Sequence, residues 1–562
     1  MFRAFAALFV GTVMASVIAF GESKPAASSE DFVKLHDSYL AKWKPLWLES
    51  QKAWWEANTT GSDSAFERKK AADKALVELH ADRETFAKLK AIKDSKTITD
   101  PIQQRQLDVL YRSYLRSQGD PELLKKIIDL ENEVEQTFNT HRSKVGDKEL
   151  TENDVREILS ESTSSADVAA AWKAYMEVGR KAGAHLKQLV AMRNTLAKQL
   201  GFANYHEMSL TLQEIDGAEF IKLFDELDAL TRGPFAEIKR GLDARLAAKF
   251  QVTPEQLRPW HYGDLFFQEA PKIAEANLDD VFKDADILEL SRKYYASLGL
   301  PCDDVIQRSD LYEKPGKSPH AFCTHLDREG DIRVLCNIKP NLYWADTVMH
   351  ELGHAVYDKY ISRDVPFLLR EPSHSITTEG IAMMFGAFVK NEDWLVNVRQ
   401  LDKEDAAKTV KAARATLRAE KVLFSRWTQV MVRFEHGIYT NPDQDFNKLW
   451  WDLKKKYQLL NPPDSMDGAD YAAKVHILTN PVYYHSYLMG DLFAAQVQHF
   501  AAKNVLHIDN PLSTSFYTKP EAGKYLRDKV FGPGNLHAWN DLTKLATGEP
   551  LTAKYFAKQF VE

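Results

Sequence analysis

The chain has 562 residues, of which 44% are apolar and 27% are charged. This is an ordinary composition for a globular protein with a large core, and it excludes a disordered or fibrous chain. The formal net charge is -7, and acidic and basic residues alternate without a basic stripe. Nucleic acid is therefore not an expected partner.

The N-terminal residues have the pattern of a secretory signal peptide. Arg3 supplies the positive charge, and an apolar run extends to Phe20. The small residues Ala19 and Gly21 both mark acceptable cleavage positions. An uncleaved membrane anchor is the alternative, although the run is slightly short for a membrane span. We therefore expect an exported protein, periplasmic or secreted, without membrane contact after signal removal.

With residues 1–21 as the signal peptide, residues 22–562 are expected to form one domain with two helical lobes. Pro and Gly are sparse, and no linker-like run or internal repeat divides the chain. Amphipathic periodicity predicts a mainly α fold. The predicted helical stretches are 30–58, 64–94, 102–118, 121–142, 167–200, 216–249, 278–298 and 402–437.

The clearest β-hairpin in the sequence covers residues 320–337, where two alternating segments flank a polar turn. With the tip at residues 329–330, Cys323 lies opposite Cys336 in a non-hydrogen-bonded pair, where side chains approach most closely. A disulfide between them is expected in an oxidising compartment, and two buried free thiols are the alternative. Cys302 is left unpaired.

The segment TVMHELGHAVYD, residues 347–358, predicts a helix with a buried apolar stripe. His350 and His354 are four residues apart, so both rings leave the same face of the helix and can hold one zinc ion. Glu351 lies beside the first histidine. It is placed to act as general base on the attacking water and to pass the proton to the leaving amine. Gly353 is expected to leave room near the metal.

A second helical pattern, SITTEGIAMMFGAF, supplies a candidate third ligand in Glu379, 25 residues beyond His354. A glutamate from a second helix completes two histidines into a three-ligand site with an open position. Taken alone, Glu379 could equally be a first-turn acid that the helix dipole favours. Combined with HELGH, it predicts one zinc ion per chain, bound by His350, His354 and Glu379.

The chain resembles the angiotensin-converting enzyme family of zinc peptidyl-dipeptidases over roughly residues 170–545, and five ordered segments within that range carry the resemblance. The resemblance implies a large two-lobed helical metallopeptidase with a deep central cleft and a small β-hairpin near the zinc helix. It also implies that the protein releases dipeptides from peptides with a free C-terminus. The segments are HYGDLFFQ from His261, HAF from His320, HELGH with VPFLLRE and Glu379, LWWDLKKKYQLLNPP from Leu449, and KVHILTNPVYYHSY from Lys474.

The resemblance assigns the substrate carboxylate to a carboxylate clamp, which consists of Gln268, Lys474 and Tyr484. The lysine supplies the charge, while amide and phenol donors fix the direction of binding. An inserted residue makes Tyr483 a rival to Tyr484 for the tyrosine position.

Four further residues receive roles from the resemblance. His320 and His476 would hydrogen-bond the carbonyl within the departing dipeptide, and the backbone at Ala321 would line the cleft. Tyr487 would donate to the oxyanion of the tetrahedral intermediate.

The chain also departs from the family pattern. The family has an aspartate four residues beyond its third ligand, where it supports a zinc histidine, and this chain has Met383. Trp450 and Lys454 match part of the family's chloride site, but Ser486 replaces an arginine of a chloride site. A response to chloride is therefore doubtful.

Two other functions remain compatible with the sequence. One is a zinc oligopeptidase of the thimet type, which cleaves within short peptides. The other is a catalytically inactive relative that only binds peptides. For each of them the expected partners are short peptides, and the chain is expected to be a monomer or a weak dimer.

Overall fold

The computed structural model describes residues 28–271, 278–465 and 468–561. Within these ranges the chain is mainly α-helical, as predicted, with two small two-stranded sheets. No helix in these ranges is long and apolar enough to cross a membrane. The predicted signal peptide lies outside the described residues.

The first four helices pack around a small core of their own, to which Leu368 contributes from far along the chain. The stretch predicted as one helix over 64–94 is two helices, because the chain turns at Ala81 and Asp82. Asp82 caps the second of them by accepting the N–H of Glu84. These helices are α1 Ser29–Thr60, α2 Asp63–His80, α3 Arg83–Ser95 and α4 Pro101–Leu115.

The next part of the chain contains long helices and a short hairpin that the sequence did not reveal. Its strands have three residues each, too few to show an alternating pattern. The predicted stretch 278–298 is helical mainly in its second half. The elements are α5 Pro121–Thr140, β1 Ser143–Val145, β2 Lys148–Leu150, α6 Glu152–Glu161, α7 Ser165–Gln199, α8 Tyr205–Leu212, α9 Gly217–Phe250, α10 Ile287–Ser297 and α11 Asp303–Arg308.

The remaining elements include the helix that contains HELGH. One continuous core includes residues from Ile127 to Phe556 and joins both parts of the chain. The elements are β3 Phe322–His325, β4 Ile332–Leu335, α12 Leu342–Lys359, α13 Ser375–Ala387, α14 Glu392–Asn397, α15 Lys403–Thr440, α16 Phe446–Gln458, α17 Val475–Thr479, α18 His485–Phe500, α19 Pro520–Tyr525, α20 Trp539–Thr547 and α21 Lys554–Phe560.

The β3–β4 hairpin is present, but its register differs from the prediction. Cys323 lies opposite Val334, whereas Cys336 lies beyond the end of β4. All three cysteines are free thiols, so the predicted Cys323–Cys336 disulfide is wrong and Cys302 is unpaired as expected.

The register shifts because the loop between the strands is centred on residues 328–329, one position earlier than predicted, and is longer than two residues. The last pair of the ladder is His325 with Ile332, which leaves six residues in the loop. Asp327 organises this loop, since its Oδ1 accepts the N–H groups of Glu329 and Asp331 at 2.8 and 3.0 Å. Residues 329–330 are therefore not the central pair of the turn.

Close packing of α12, α13 and α18 requires two glycines. A Cβ on Gly353 would lie 3.0 Å from the Cα of Ala382 on α13, and a Cβ on Gly380 would lie 2.7 Å from the backbone oxygen of Gly490 on α18. The missing side chain at Gly353 therefore allows α12 and α13 to pack closely. The prediction that it leaves room near the metal is wrong. The three helices form a rigid support for the site residues that they carry.

Candidate active site

The three predicted metal ligands lie together between α12 and α13. The Nε2 atoms of His350 and His354 are 3.2 Å apart, and they lie 3.6 and 3.8 Å from Oε2 of Glu379. Ligand atoms about 2.0–2.1 Å from zinc at tetrahedral angles are separated by about 3.3–3.4 Å. Among the described residues, this is the one group of three or more His, Cys, Asp or Glu arranged to hold a metal ion. The donor set and its spacing fit zinc.

Glu379 lies in the second turn of α13. The helix begins at Ser375 and is capped by His374, whose Nδ1 accepts the N–H of Ile376 at 3.0 Å. Glu379 is thus the fifth helical residue. The alternative interpretation of the sequence, which placed it in the first turn of the helix, is wrong. Stabilisation by the helix dipole does not account for its position.

The orientation of His354 comes from a residue that sequence reasoning missed. Nδ1 of His354 lies 2.7 Å from Oγ1 of Thr378, which directs Nε2 toward His350 and Glu379. Met383 packs against Gly490 on α18, where a Cβ on that glycine would lie 2.8 Å from the Met383 Cε. A threonine within a helix has no distinctive sequence pattern, so no sequence signal indicated this support.

Both histidines are held in the neutral form that metal binding requires. Burial lowers the pKa of His354 to about 3, and the neighbouring His350 acts in the same direction. Burial also lowers the pKa of His350, against the opposing effect of Asp346. Burial raises the pKa of the Glu379 carboxyl. The ligand side chains are only partly shielded from solvent, and Glu379 is the most exposed of the three.

Glu351 is buried beside the ligands, with 7% of its surface exposed. Burial first, and then the Glu379 carboxylate, raise the pKa of Glu351 to about 8, while the backbone N–H of Cys323 acts in the opposite direction. A carboxyl with a raised pKa is suited to accept and return protons near neutral pH.

These residues line a cavity of about 360 Å³. Ala321, Phe322 and Cys323 form its wall on the β3 side. Asp358, one helical turn beyond His354, also lines the cavity and was missed by sequence reasoning. Burial raises the pKa of Asp358 to about 7.

The carboxylate clamp residues also come together, from two distant segments of the chain. Nζ of Lys474 donates to Oε1 of Gln268 at 2.7 Å, and the Tyr484 hydroxyl lies 3.5 Å from the same oxygen. Nε1 of Trp427 donates to the Tyr484 hydroxyl at 2.9 Å. The rings of Tyr483 and Tyr484 both pack against Tyr487, with centroids 5.6 and 5.3 Å from its ring centroid. Of these two tyrosines, only Tyr484 has a hydrogen bond to Gln268 among the described residues. The structure therefore brings Tyr484, not Tyr483, to Gln268.

Lys474 is a buried cation, with 7% of its surface exposed. Burial lowers the pKa of Lys474 to about 8, although the Asp264 carboxylate acts in the opposite direction. The ammonium also lies over the rings of Phe266 and Tyr484, 5.3 and 5.4 Å from their centroids. Such a site favours an anionic ligand that restores a full counter-charge.

Two of the remaining predicted residues, His476 and Tyr487, border the carboxylate clamp and the metal ligands. His476 lies beside Tyr484, with ring centroids 5.5 Å apart, and its buried Nδ1 has no hydrogen-bond partner within the described ranges. Tyr487, 41% exposed, is close enough to Glu379 for the carboxylate to raise its pKa, although burial contributes more. His320 is exposed and lies two residues before β3. Its side chain makes no close contact with the metal ligands in the described part of the chain.

The residues of the predicted chloride site are buried and engaged with protein groups. Nζ of Lys454 donates to the backbone oxygen of Phe266 at 2.5 Å and lies 5.6 Å from the Trp450 ring centroid. Ser486 is also buried, and its Oγ has no partner among the residues that the structure describes.

Comparison with known proteins finds one family in both the family model and the individual relatives. A family model described as Peptidase_M2: Angiotensin-converting enzyme matches residues 24–249 and 267–560. The angiotensin-converting enzymes of Mus musculus and Bos taurus are 23% and 24% identical over 427 and 434 residues, which is 71% of this chain and 32% of each relative. The angiotensin-converting enzyme-like protein Ace3 of Mus musculus is 22% identical over 439 residues, covering 73% of this chain and 59% of Ace3.

The matched region spans about a third of the length of the first two relatives. The family model, in contrast, covers most of this chain, and its matched ranges include every predicted ligand and clamp residue. The chain therefore belongs to the angiotensin-converting enzyme family of zinc metallopeptidases.

Proposed function

We propose that the protein is a zinc-dependent peptidyl-dipeptidase that hydrolyses short peptides and releases their C-terminal dipeptides. One observation supports this most strongly: the same molecule holds a His–His–Glu ligand set and a separate buried lysine hydrogen-bonded to Gln268. The ligand set suits peptide hydrolysis, and the carboxylate clamp suits recognition of a free C-terminus. Together they support exopeptidase action.

Glu351 is the proposed general base. When bound, zinc supplies Lewis acidity, which makes a water molecule more acidic and polarises the scissile carbonyl. Glu351 would accept the proton from the attacking water and return it to the departing amine as the C–N bond breaks. Its buried position keeps the proton within the site between these two steps.

The carboxylate clamp would hold the terminal carboxylate of the substrate. Lys474 contributes a charge-assisted hydrogen bond, and the Gln268 amide and Tyr484 hydroxyl contribute directional contacts. A carboxylate would replace the Gln268 oxygen as an acceptor for the Lys474 ammonium. The exchange of a neutral partner for a charged one stabilises the buried cation.

Residues between the two groups would hold the dipeptide itself. The buried, unpaired Nδ1 of His476 supports a hydrogen bond to its internal carbonyl. His320 would contact the same carbonyl from the other wall, and the backbone at Ala321 would line the cleft. Tyr487 would donate to the oxyanion as the carbonyl becomes tetrahedral.

An exported location is part of the proposal. It is supported by the positive Arg3 and the apolar run that ends at Phe20. N-terminal sequencing of protein collected outside the cytoplasm would find a start near residue 20 or 22. An intact Met1 on exported protein would contradict cleavage.

Mass spectrometry of products from a mixed peptide pool, with and without a zinc chelator, tests the proposed reaction. We expect C-terminal dipeptides in the untreated sample and no products after chelation. Internal cleavage products would favour a thimet-type oligopeptidase. A purified protein that lacks zinc, and that remains inert when zinc is added, would favour a peptide-binding relative.

A further inference from the structure

The loop that carries Gln268 into the carboxylate clamp is held by one of its own side chains and by two side chains from α16. Oδ2 of Asp264 accepts the backbone N–H groups of Phe266 and Gln268, both at 2.9 Å. On the opposite side, Lys454 donates to the backbone oxygen of Phe266 at 2.5 Å. Four residues later on α16, Gln458 donates to the next backbone oxygen at 2.5 Å. The loop thus has side-chain partners on both its donor and its acceptor groups.

These contacts hold a backbone conformation that the loop sequence does not favour. Phe267 has a φ of +53°, in the left-handed region that non-glycine residues rarely adopt. Its side chain is fully buried. A bulky residue remains in this region only when its surroundings determine its conformation. Removal of the supporting side chains is therefore expected to release the Phe267 backbone and to move Gln268, the next residue.

The same side chains supply the charges around the clamp. Asp264 accepts a hydrogen bond from Arg156 at 3.1 Å and raises the pKa of both Lys454 and Lys474, against the larger lowering effect of burial. Lys454 also lies 4.9 Å from the Trp427 ring centroid, and Trp427 donates to Tyr484 of the clamp. The Lys454 ammonium thus contacts a backbone oxygen and an indole ring of the protein.

We propose that Lys454 and Asp264 are positioning residues of the carboxylate clamp, which fix the backbone from Phe266 to Gln268 so that the clamp is formed without a bound chloride ion. Lys454 then acts through the Phe266 carbonyl and does not serve as an anion ligand. The inference rests on the proposed function, because it concerns how the clamp recognises a terminal carboxylate. Recognition of the terminal carboxylate then depends on protein groups alone and needs no anion from solution.

Two variants and one control test this proposal. Lys454→Met keeps most of the buried volume but removes the ammonium, and Asp264→Asn removes the charge while keeping the shape. Lys455→Met, at an exposed position on the same helix, is the matched control. Each variant is assayed on one peptide as the free acid and as the C-terminal amide, with sodium chloride or with sodium sulfate, which is not a carboxylate, at equal ionic strength. Zinc content and the thermal unfolding temperature are measured alongside.

For Lys454→Met and Asp264→Asn we expect KM for the free acid to rise by about tenfold, since a charge-assisted contact is misplaced and not removed. We expect a smaller change in kcat, little change with the amide, and an unchanged zinc content. Wild-type rates should be equal with chloride and sulfate, and Lys455→Met should match the wild type. If Lys454→Met does not fold, Asp264→Asn decides the question.

Three results would contradict the account in different ways. Unchanged discrimination between acid and amide in both variants would overturn the positioning role alone. A several-fold activation of the wild type by chloride, lost in Lys454→Met, would show that Lys454 is an anion ligand. A wild type that ignores the terminal carboxylate would overturn the proposed function, and the positioning role with it.

Discussion

The metal centre and the carboxylate clamp differ in how the chain assembles them. The metal ligands come from α12 and α13, two neighbouring helices that pack directly on each other at Gly353. The clamp joins Gln268 to Tyr484, which are 216 positions apart, through a loop in a left-handed conformation. A site built on adjacent rigid helices depends on local sequence, whereas the clamp depends on the fold as a whole. A single substitution should therefore impair either the metal centre or the carboxylate clamp and leave the other intact.

The largest expected effect is the loss of turnover when the base at the metal centre is removed. In Glu351→Gln, kcat should fall by about 10³-fold, because general base catalysis contributes about 10²–10⁴-fold. Zinc content, by metal analysis, should stay the same, since Glu351 is not one of the three ligands. Glu392→Gln, an exposed position, is the control. Residual turnover above a few per cent would remove Glu351 from the base role.

The next largest effect should follow loss of the clamp cation. In Lys474→Met, kcat/KM for a free-acid peptide should fall by about a hundredfold, because a buried charge pair that loses one partner costs about 2–5 kcal/mol. The amidated peptide should be affected much less. Zinc binding should be normal, which separates this variant from damage at the metal centre. Equal losses on acid and amide would argue against carboxylate recognition by Lys474.

A smaller effect should follow loss of the support for His354. In Thr378→Val, the zinc dissociation constant measured against a competing chelator should rise by about 10–100-fold. Thr378→Ser keeps the hydroxyl and should stay near the wild type. The preference for free-acid peptides, measured in excess zinc, should be unchanged. An unaltered zinc affinity in the valine variant would mean that another group orients His354.

The smallest effect is a pH dependence confined to the clamp. Because burial lowers the pKa of Lys474 to about 8, the ammonium is lost as pH rises through that value. Asp264, Glu152 and Glu269 oppose this loss, and Arg156 favours it. KM for the free acid should therefore rise above pH 8, by up to about tenfold per unit, while KM for the amide stays flat. Parallel curves for the two peptides would exclude Lys474 as the titrating group.

The same difference between the two regions explains what could be predicted from sequence. The spacing of His350 and His354 on one helix face, and a glutamate on the following helix, are local patterns that the structure confirms as a cluster. Thr378 was missed because a threonine in a helix has no distinctive pattern. The clamp residues were reached only through the resemblance, since no periodicity relates Gln268 to Lys474.

Errors in the fold came from short-range backbone geometry. The hairpin was predicted correctly, but its loop length depends on hydrogen bonds made by Asp327, and the misplaced turn gave a disulfide that is absent. The break between α2 and α3 was missed because alanine at position 81 fits a continuous helix and Asp82 alone marks the cap. Amphipathic patterns indicate which faces are buried, and they do not determine where a chain turns.

The most direct test of the central claim is the ratio of kcat/KM for one peptide as the free acid and as the C-terminal amide, with products identified by mass spectrometry. If the carboxylate clamp selects free C-termini, the ratio should be at least about a hundredfold in favour of the acid, with a C-terminal dipeptide as the product. A ratio near one, with the same bond cleaved in both peptides, would contradict the account.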